Sequence, residues 1–231
     1  MFDVRCAAMD SRHPPPKGHF VTATLDSPST LLDQSVPDAD PPPRPGNPGL
    51  VALPLIVAGG FGLGLTNTGL LNVPAASIPI LLSATSVGLV IATIWAAALG
   101  QNVNATVYGT FFGFYGSFAV LSLGLTHDWF GIAAADASAT TSLWLGSWLL
   151  TIGLLTVLLL RLPWTYPVLL LVVDVALVLL LVGSLTGSAG ATHAGGWAVF
   201  VFVAFVVYFY AASLWEETGG RALPLGRPLV G

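Results

Sequence analysis

The chain has 231 residues, of which 55% are hydrophobic and only 8% are charged, and its formal net charge is −4. Ordinary soluble domains carry about 25% charged residues, so this composition excludes a typical soluble fold and indicates a membrane protein. Cys6 is the only cysteine, which excludes an intrachain disulfide and a thiolate metal site.

Residues 1–46 differ in composition from the rest, because they are rich in Pro, Asp and Ser. This segment has no apolar run long enough for a signal peptide. It buries too little apolar area to offset its chain entropy, so we predict a disordered cytoplasmic tail that serves as a spacer. The triple prolines Pro14–Pro16 and Pro41–Pro43 leave docking to a proline-binding domain as the alternative.

The sequence from 47 to 215 is almost free of charge, and its charged residues are only Asp128, Asp136, Arg161 and Asp174. It divides into six apolar segments, at roughly 50–71, 77–99, 105–125, 142–160, 164–186 and 193–215. A helix rises about 1.5 Å per residue, so each segment is long enough to cross a hydrocarbon core of about 30 Å. The short connections predict an all-α bundle of six transmembrane helices at 47–215 and a cytoplasmic tail at 216–231.

The first segment begins at Asn47-Pro48 and carries Gly60 and Gly64 in a GxxxG spacing. Asn is a favoured N-cap, and Pro fits the first helical position because its missing N–H is not needed there. A helix start of this kind offers unpaired N–H groups and a positive dipole end to a carboxylate, although a well-capped first helix is the simpler explanation of these residues alone. The GxxxG pair predicts close packing against another helix.

The third segment interleaves glycines with aromatic and hydroxyl residues, as the run from Gly109 through Gly113 to Gly116 shows. This pattern suits a narrow path closed by aromatic rings, and ordinary helix packing would produce much of it.

The basic residues indicate the orientation, because six spans place all seven on one side: Arg5, Arg12, Lys17, Arg44, Arg161, Arg221 and Arg227. The positive-inside rule puts that side, with both termini, in the cytoplasm, and we expect the protein in the cell membrane. The connector with His127 and Asp128 then faces outside, where a solvated loop is expected because two ligands do not make a metal site.

Five short motifs occur in family order along the chain. An Asn-Pro-Ala-Pro-Leu-Gly-Leu signature is matched by Asn47, Pro48 and Leu53, an Asn-x-Gly motif by Asn67 and Gly69, and a Ser-Tyr-Gly-Ser-Phe motif corresponds to Phe114–Phe118. A His-x-Ala-Gly-Trp motif corresponds to His193–Trp197, and a Gly-Arg-x-x-Leu-Pro-x-Gly motif is matched by Gly220–Gly226. In these motifs the chain resembles the acetate uptake transporter family, the succinate–acetate permeases. Leu50 and Ala52 replace the second Pro and the Gly of the opening signature, so the cargo expected from the resemblance extends to a longer monocarboxylate.

The resemblance implies a homohexamer with one pore per protomer that carries acetate, other small monocarboxylates and, in some members, succinate. It implies a pore narrowed by apolar side chains of helices one, three and five. Tyr115 matches the helix-three position of this gate. Ile56 and Val173 fall where the family has an aromatic residue and a Leu.

Two polar residues inside the spans have alternative interpretations. Asp174 lies mid-segment, where an ionised side chain costs about 2.5–3.5 kcal/mol, so it is either a proton relay or a neutral acid that staples two helices through a Thr or Ser. His193 either donates to a carboxylate in the pore, and attracts anions when protonated, or caps a neighbouring helix.

Three function classes follow. The leading class is a carboxylate channel or proton-coupled permease without a cofactor. In it, polar groups replace water around the carboxylate, and these are expected from Asn47-Pro48, Asn67, Thr110, Ser117 and His193. The alternative is a pore for a neutral solute such as ammonia, urea or the undissociated acid, which the scarcity of pore cations favours. An intramembrane enzyme or scaffold is least supported, since no convergent set of His, Cys or carboxylates is evident, and no nucleic-acid partner is expected.

Overall fold

The computed structural model describes residues 46–230, so the predicted disordered tail lies outside the described residues except for Gly46. Six long helices make up this part of the chain: α1 Gly49–Asn67, α2 Ile80–Ala98, α3 Asn102–Thr126, α4 Ala137–Leu158, α5 Thr165–Thr186 and α6 Ala189–Glu217. No strand occurs between residues 46 and 230. Each helix is long and apolar enough to cross a membrane, which confirms the predicted all-α class with six spans.

The junction of α5 and α6 shows why some helix ends differ from the predicted ones. Gly187 takes a left-handed conformation (φ +69°) and ends α5, as glycine does after many helices. Ser188 then caps α6, because its Oγ accepts the N–H of Ala191 at 3.3 Å. The sixth helix therefore begins at Ala189, before the predicted residue 193, and it continues to Glu217.

The first six residues of α2, Ile80–Thr85, form a π-helical segment. Ser86 Oγ donates to the carbonyl of Leu81 at 2.6 Å, and Thr85 Oγ1 donates across to the carbonyl of Leu55 in α1 at 3.1 Å. The close approach of Thr85 requires Gly59, because a Cβ there would lie 2.6 Å from the Thr85 hydroxyl. This segment therefore fixes α2 against α1.

Helix α6 is the central element, since it packs along both α1 and α5, and α5 in turn packs along α4. The GxxxG glycines of α1 face α6: a Cβ on Gly60 would lie 2.8 Å from Val203, and one on Gly64 would lie 2.7 Å from Phe200. Gly196 of α6 lies directly against the α1 backbone. Small residues thus bring these two helices close together.

The segment after α6 is ordered and runs back across the turn between α4 and α5; we call residues 220–230 the C-terminal strap. The Thr165 hydroxyl donates to the carbonyl of Leu225 at 2.7 Å, and the Tyr208 hydroxyl donates to that of Pro224 at 2.7 Å. The backbone N–H of Trp164 donates to the carbonyl of Arg227 at 3.0 Å. These bonds hold the strap against the end of the bundle where α1 begins.

Candidate functional site

Two cavities penetrate the bundle from opposite ends. One, the Asn47 cavity, has a volume of about 430 Å³ and lies among the start of α1, α3 and α5, the end of α6 and the strap. The other, the Asn67 cavity, has a volume of about 220 Å³ and lies among the end of α1, the start of α4 and α6 and the end of α5. A helical membrane protein with cavities at both ends has the general form of a conduit.

The cavities approach each other in the middle of the bundle. Along α3, Phe111 lines the Asn47 cavity, and Phe114, less than one helical turn later, lines the Asn67 cavity. Along α5, Leu170 lines the Asn47 cavity, and Val173, three residues later, lines the Asn67 cavity. Only an apolar layer of buried side chains therefore separates the two cavities.

The three residues predicted to form a gate lie at this layer. Ile56 is the last α1 residue that lines the Asn47 cavity, whereas Tyr115 and Val173 line the Asn67 cavity. All three are buried, and Tyr115 is only 1% exposed. The Tyr115 ring packs against Phe111, with centroids 6.1 Å apart, and against Phe114, at 5.3 Å. The chain thus brings together residues from α1, α3 and α5, which the sequence separates widely.

Asn47 lines its cavity, but the helix end does not offer the predicted free N–H groups. Asn47 Oδ1 accepts the N–H of Gly49 at 3.0 Å, and the amides of residues 50–52 donate to the carbonyls of Asn47 and Pro48 at 3.0–3.1 Å. Since Pro48 has no N–H, the first turn is fully bonded. The polar group that remains is the Asn47 side-chain amide, whose Nδ2 makes no hydrogen bond within residues 46–230.

Asn67 holds the corresponding position at the other end of α1 and lines the Asn67 cavity. The neighbouring hydroxyls are occupied, because Ser184 bonds with Ser142 at 2.9 Å and Thr192 donates to the carbonyl of Ser188 at 3.3 Å. The Asn67 side chain has no hydrogen-bond partner in the described part of the chain. The Asn47 amide in one cavity and the Asn67 amide in the other are therefore available to a solute.

Three predicted binding residues line neither cavity. Thr110 donates to the carbonyl of Thr106 in its own helix at 2.8 Å. Ser117 accepts the indole N–H groups of Trp144 at 2.9 Å and of Trp148 at 3.1 Å, so its hydroxyl joins α3 to α4. His193 is exposed and lies over Gly69, while its neighbour Thr192 faces the cavity. Thr110, Ser117 and His193, which the sequence predicts around the solute, therefore lie outside these two cavities.

Asp174 also lies outside both cavities, at the contact between α5 and α4. Its Oδ2 bonds with the hydroxyl of Thr156 at 2.7 Å. The other oxygen, Oδ1, lies near Gly153 and has no partner among residues 46–230. This contact joins neighbouring helices through a Thr, as the staple interpretation requires, and no described polar chain links it to a cavity.

Several lining residues were not singled out from the sequence. Phe111 and Phe202 line the apolar layer, and Tyr108, Tyr166 and Glu216 line the Asn47 cavity. The aromatic residues occur in segments that are apolar on most sides of the helix, so no pattern distinguishes those that face inward. Glu216 fell outside the predicted sixth span, although an acid just beyond an apolar helix was a usable signal.

The cavities contain little formal charge. No Lys, Arg or His lines either one within the described range, and Glu216 is the one carboxylate that does. The two cavities are therefore almost uncharged and mainly apolar.

Comparisons with known proteins agree with this architecture. No curated protein sequence matches the chain significantly. A solved structure described as that of the bacterial acetate channel SatP has a similar fold, with a TM-score of 0.70 and 18% sequence identity, and the match covers 79% of this chain and 100% of that one. The profile of the GPR1/FUN34/yaaH family matches residues 34–220. Because this match spans most of a six-helix chain, the protein belongs to the GPR1/FUN34/yaaH family.

Proposed function

We propose that this protein carries acetate and related small carboxylates across a membrane, along a path from the Asn67 cavity through the apolar layer to the Asn47 cavity. The observation that carries the proposal is the approach of two cavities to one buried layer inside a single chain. Further support comes from the likeness of the fold to that of a protein described as an acetate channel.

The sizes of the cavities suit a small hydrated solute. A water molecule occupies about 30 Å³ of liquid volume, so a cavity of about 220 Å³ holds a small carboxylate with part of its hydration shell. The apolar layer has no such room. A solute must therefore lose water at the layer, and a narrow apolar passage of this kind closes by dewetting.

The two asparagines supply polar contacts on either side of this barrier. In the proposed path the Asn67 amide donates to the carboxylate as the solute enters the layer, and the Asn47 amide does so as it leaves. Ile56, Tyr115 and Val173 form the gate between them. Two weak sites around a short barrier favour rapid passage over tight binding.

A second candidate is passage of the undissociated acid. The absence of Lys, Arg and His from the described cavity linings, and the presence of Glu216, favour a neutral solute over an anion. Burial of an unpaired carboxylate in an apolar layer is costly, whereas the neutral acid avoids that cost. Ammonia and urea belong to the same class of neutral cargo.

We also propose the orientation and assembly. The basic residues Arg161, Arg221 and Arg227 lie at the Asn47 end of the bundle. By the positive-inside rule, this supports a protein of the cell membrane whose Asn47 end and both termini face the cytoplasm. A homohexamer with one path per protomer is proposed from the family resemblance. Lining of both cavities by one chain agrees with that assembly, and the mass of the detergent-solubilised particle tests it.

The decisive experiment is uptake of labelled acetate by liposomes that contain the purified protein, with imposed pH gradients and imposed voltages. We expect protein-dependent uptake that falls strongly in an Asn67→Leu variant. Uptake driven by voltage indicates the anion, whereas uptake driven by outside acid and insensitive to voltage indicates the neutral acid or coupled transport. Absence of acetate flux, with ammonia or urea flux retained, contradicts carboxylate transport.

A further inference from the structure

Phe202 of α6 is the one residue that lines both cavities within the described part of the chain. On α1, α3 and α5 the lining passes from one cavity to the other between different residues. On α6 a single residue, Phe202, lines both cavities, and its side chain is 4% exposed. Phe202 therefore lies at the depth where the two cavities meet.

The ring is held in place from two sides. It stacks on Phe111 of α3, with centroids 5.6 Å apart and planes 15° from parallel. On the α1 side, a Cβ built on Gly60 would lie 3.5 Å from Phe202 Cε1 and 3.5 Å from the Tyr115 hydroxyl. Gly60 thus lets the rings of α3 and α6 meet in front of α1.

We propose that Phe202 is a fourth gate residue and sets the size limit of the path together with Tyr115. Helix α1 supplies only the aliphatic Ile56 at the layer, so the rings there come from α3 and α6. A stacked pair of rings resists displacement more than a single aliphatic chain does. The width of the passage is then governed by a residue of α6, in addition to those of α1, α3 and α5. This assignment rests on the proposed function for its cargo.

The first test compares Phe202→Ala with Phe200→Ala. Phe200 lies on the same helix but lines neither cavity, and its ring packs against Phe61 and Trp197. We expect Phe202→Ala to raise the flux of benzoate relative to acetate by about tenfold, a relative barrier change of about 1.4 kcal/mol. Phe200→Ala should leave that ratio unchanged. Equal ratios in both well-folded variants overturn the proposal.

The second test does not depend on the cargo. In a Cys6→Ser background, single cysteines are introduced by Phe202→Cys, Leu170→Cys and Leu177→Cys and treated with a membrane-impermeant methanethiosulfonate from each side of oriented vesicles. Leu170 lines only the Asn47 cavity and Leu177 only the Asn67 cavity. We expect the cysteine of Phe202→Cys to react with reagent added to either side of the membrane. The cysteine of Leu170→Cys should react only from the side of the Asn47 cavity, and that of Leu177→Cys only from the side of the Asn67 cavity.

The two tests separate the two proposals. If Phe202→Cys reacts from both sides but no carboxylate flux is found, the result supports Phe202 as a gate residue and contradicts the proposed carboxylate cargo. Reaction from only one side, like Leu170→Cys or Leu177→Cys, overturns the gate even where acetate is transported.

Discussion

Asp174 illustrates how a single polar residue is accommodated inside a membrane helix. The Thr156 hydroxyl has one proton and two acceptors in reach, the carbonyl of Ile152 at 2.9 Å and Asp174 Oδ2 at 2.7 Å. If Asp174 carries a proton, the acid donates to Thr156 Oγ1 while Thr156 donates to Ile152, and both bonds form. The geometry therefore suits a neutral acid that joins α5 to α4.

This account predicts that Asp174→Asn is well tolerated. The asparagine amide donates to Thr156 Oγ1 as the protonated acid does, so we expect a loss of less than about 1 kcal/mol in stability. Acetate uptake and its dependence on outside pH should be unchanged. Uptake at several pH values and thermal unfolding in detergent provide the measurements. Loss of the pH dependence in a stable Asp174→Asn protein would instead identify a proton relay.

The sequence could predict which residue types lie near the path, but not which way each side chain points. Adjacent positions on a helix diverge by about 100°, so Val173 lines a cavity while Asp174 faces α4, and Thr192 lines one while His193 is exposed. Ser117 shows the same limit, because its partners are indoles from another helix. These directions depend on tertiary packing, which a single sequence does not encode locally.

The helices themselves were predictable, because a long apolar run is a property of the sequence alone. Their ends were less so. The π-helical segment Ile80–Thr85 includes a residue, Thr85, that bonds to α1, and α6 starts at the Ser188 cap. The ordered strap was not predicted for a related reason: its bonds are made by side chains of other elements, Thr165 of α5 and Tyr208 of α6.

The contact between α1 and α6 should be sensitive to one methyl group at Gly196. A Cβ there would lie 2.5 Å from the nitrogen of Thr68 and 2.7 Å from the carbonyl carbon of Asn67, and backbone atoms cannot move aside. We expect Gly196→Ala to destabilise the protein by about 1–3 kcal/mol, as overpacking does, and to reduce acetate uptake by displacing Asn67.

The matched control is Gly146→Ala in α4, where a Cβ meets nothing within 4 Å. This change should be neutral or stabilise the helix by up to about 1 kcal/mol. Thermal unfolding of both variants in the same detergent is the measurement. Equal stability of the two variants would mean that the α1–α6 contact can relax freely, contrary to the geometry.

At the scale of the whole molecule, the proposed path depends on the strap as well as on the helices. Leu223 and Leu225 of the strap form part of the wall of the Asn47 cavity. The strap is fixed through carbonyls that accept from Thr165 and Tyr208, and its Val230 N–H donates to Leu160 at 3.4 Å. Loosening it should open that cavity without disturbing the bundle.

We expect the double variant Thr165→Val with Tyr208→Phe to release the strap. Loss of two hydrogen bonds of about 1 kcal/mol each should speed hydrogen exchange at the amides of Trp164 and Val230 roughly 30-fold. Tyr210→Phe, on the same helix and without a bond to the strap, is the control. Unchanged exchange in the double variant would show that apolar contacts alone hold the strap.

The position of the strap in the chain also has a consequence for biosynthesis. Proteins are made from the N-terminus at about 5–20 residues per second, and the strap follows all six helices. All six helices are thus synthesised before the wall of the Asn47 cavity is complete. A chain that terminates within the strap keeps all six helices but lacks part of this wall, so the defect lies in the lining of the Asn47 cavity and not in the membrane spans.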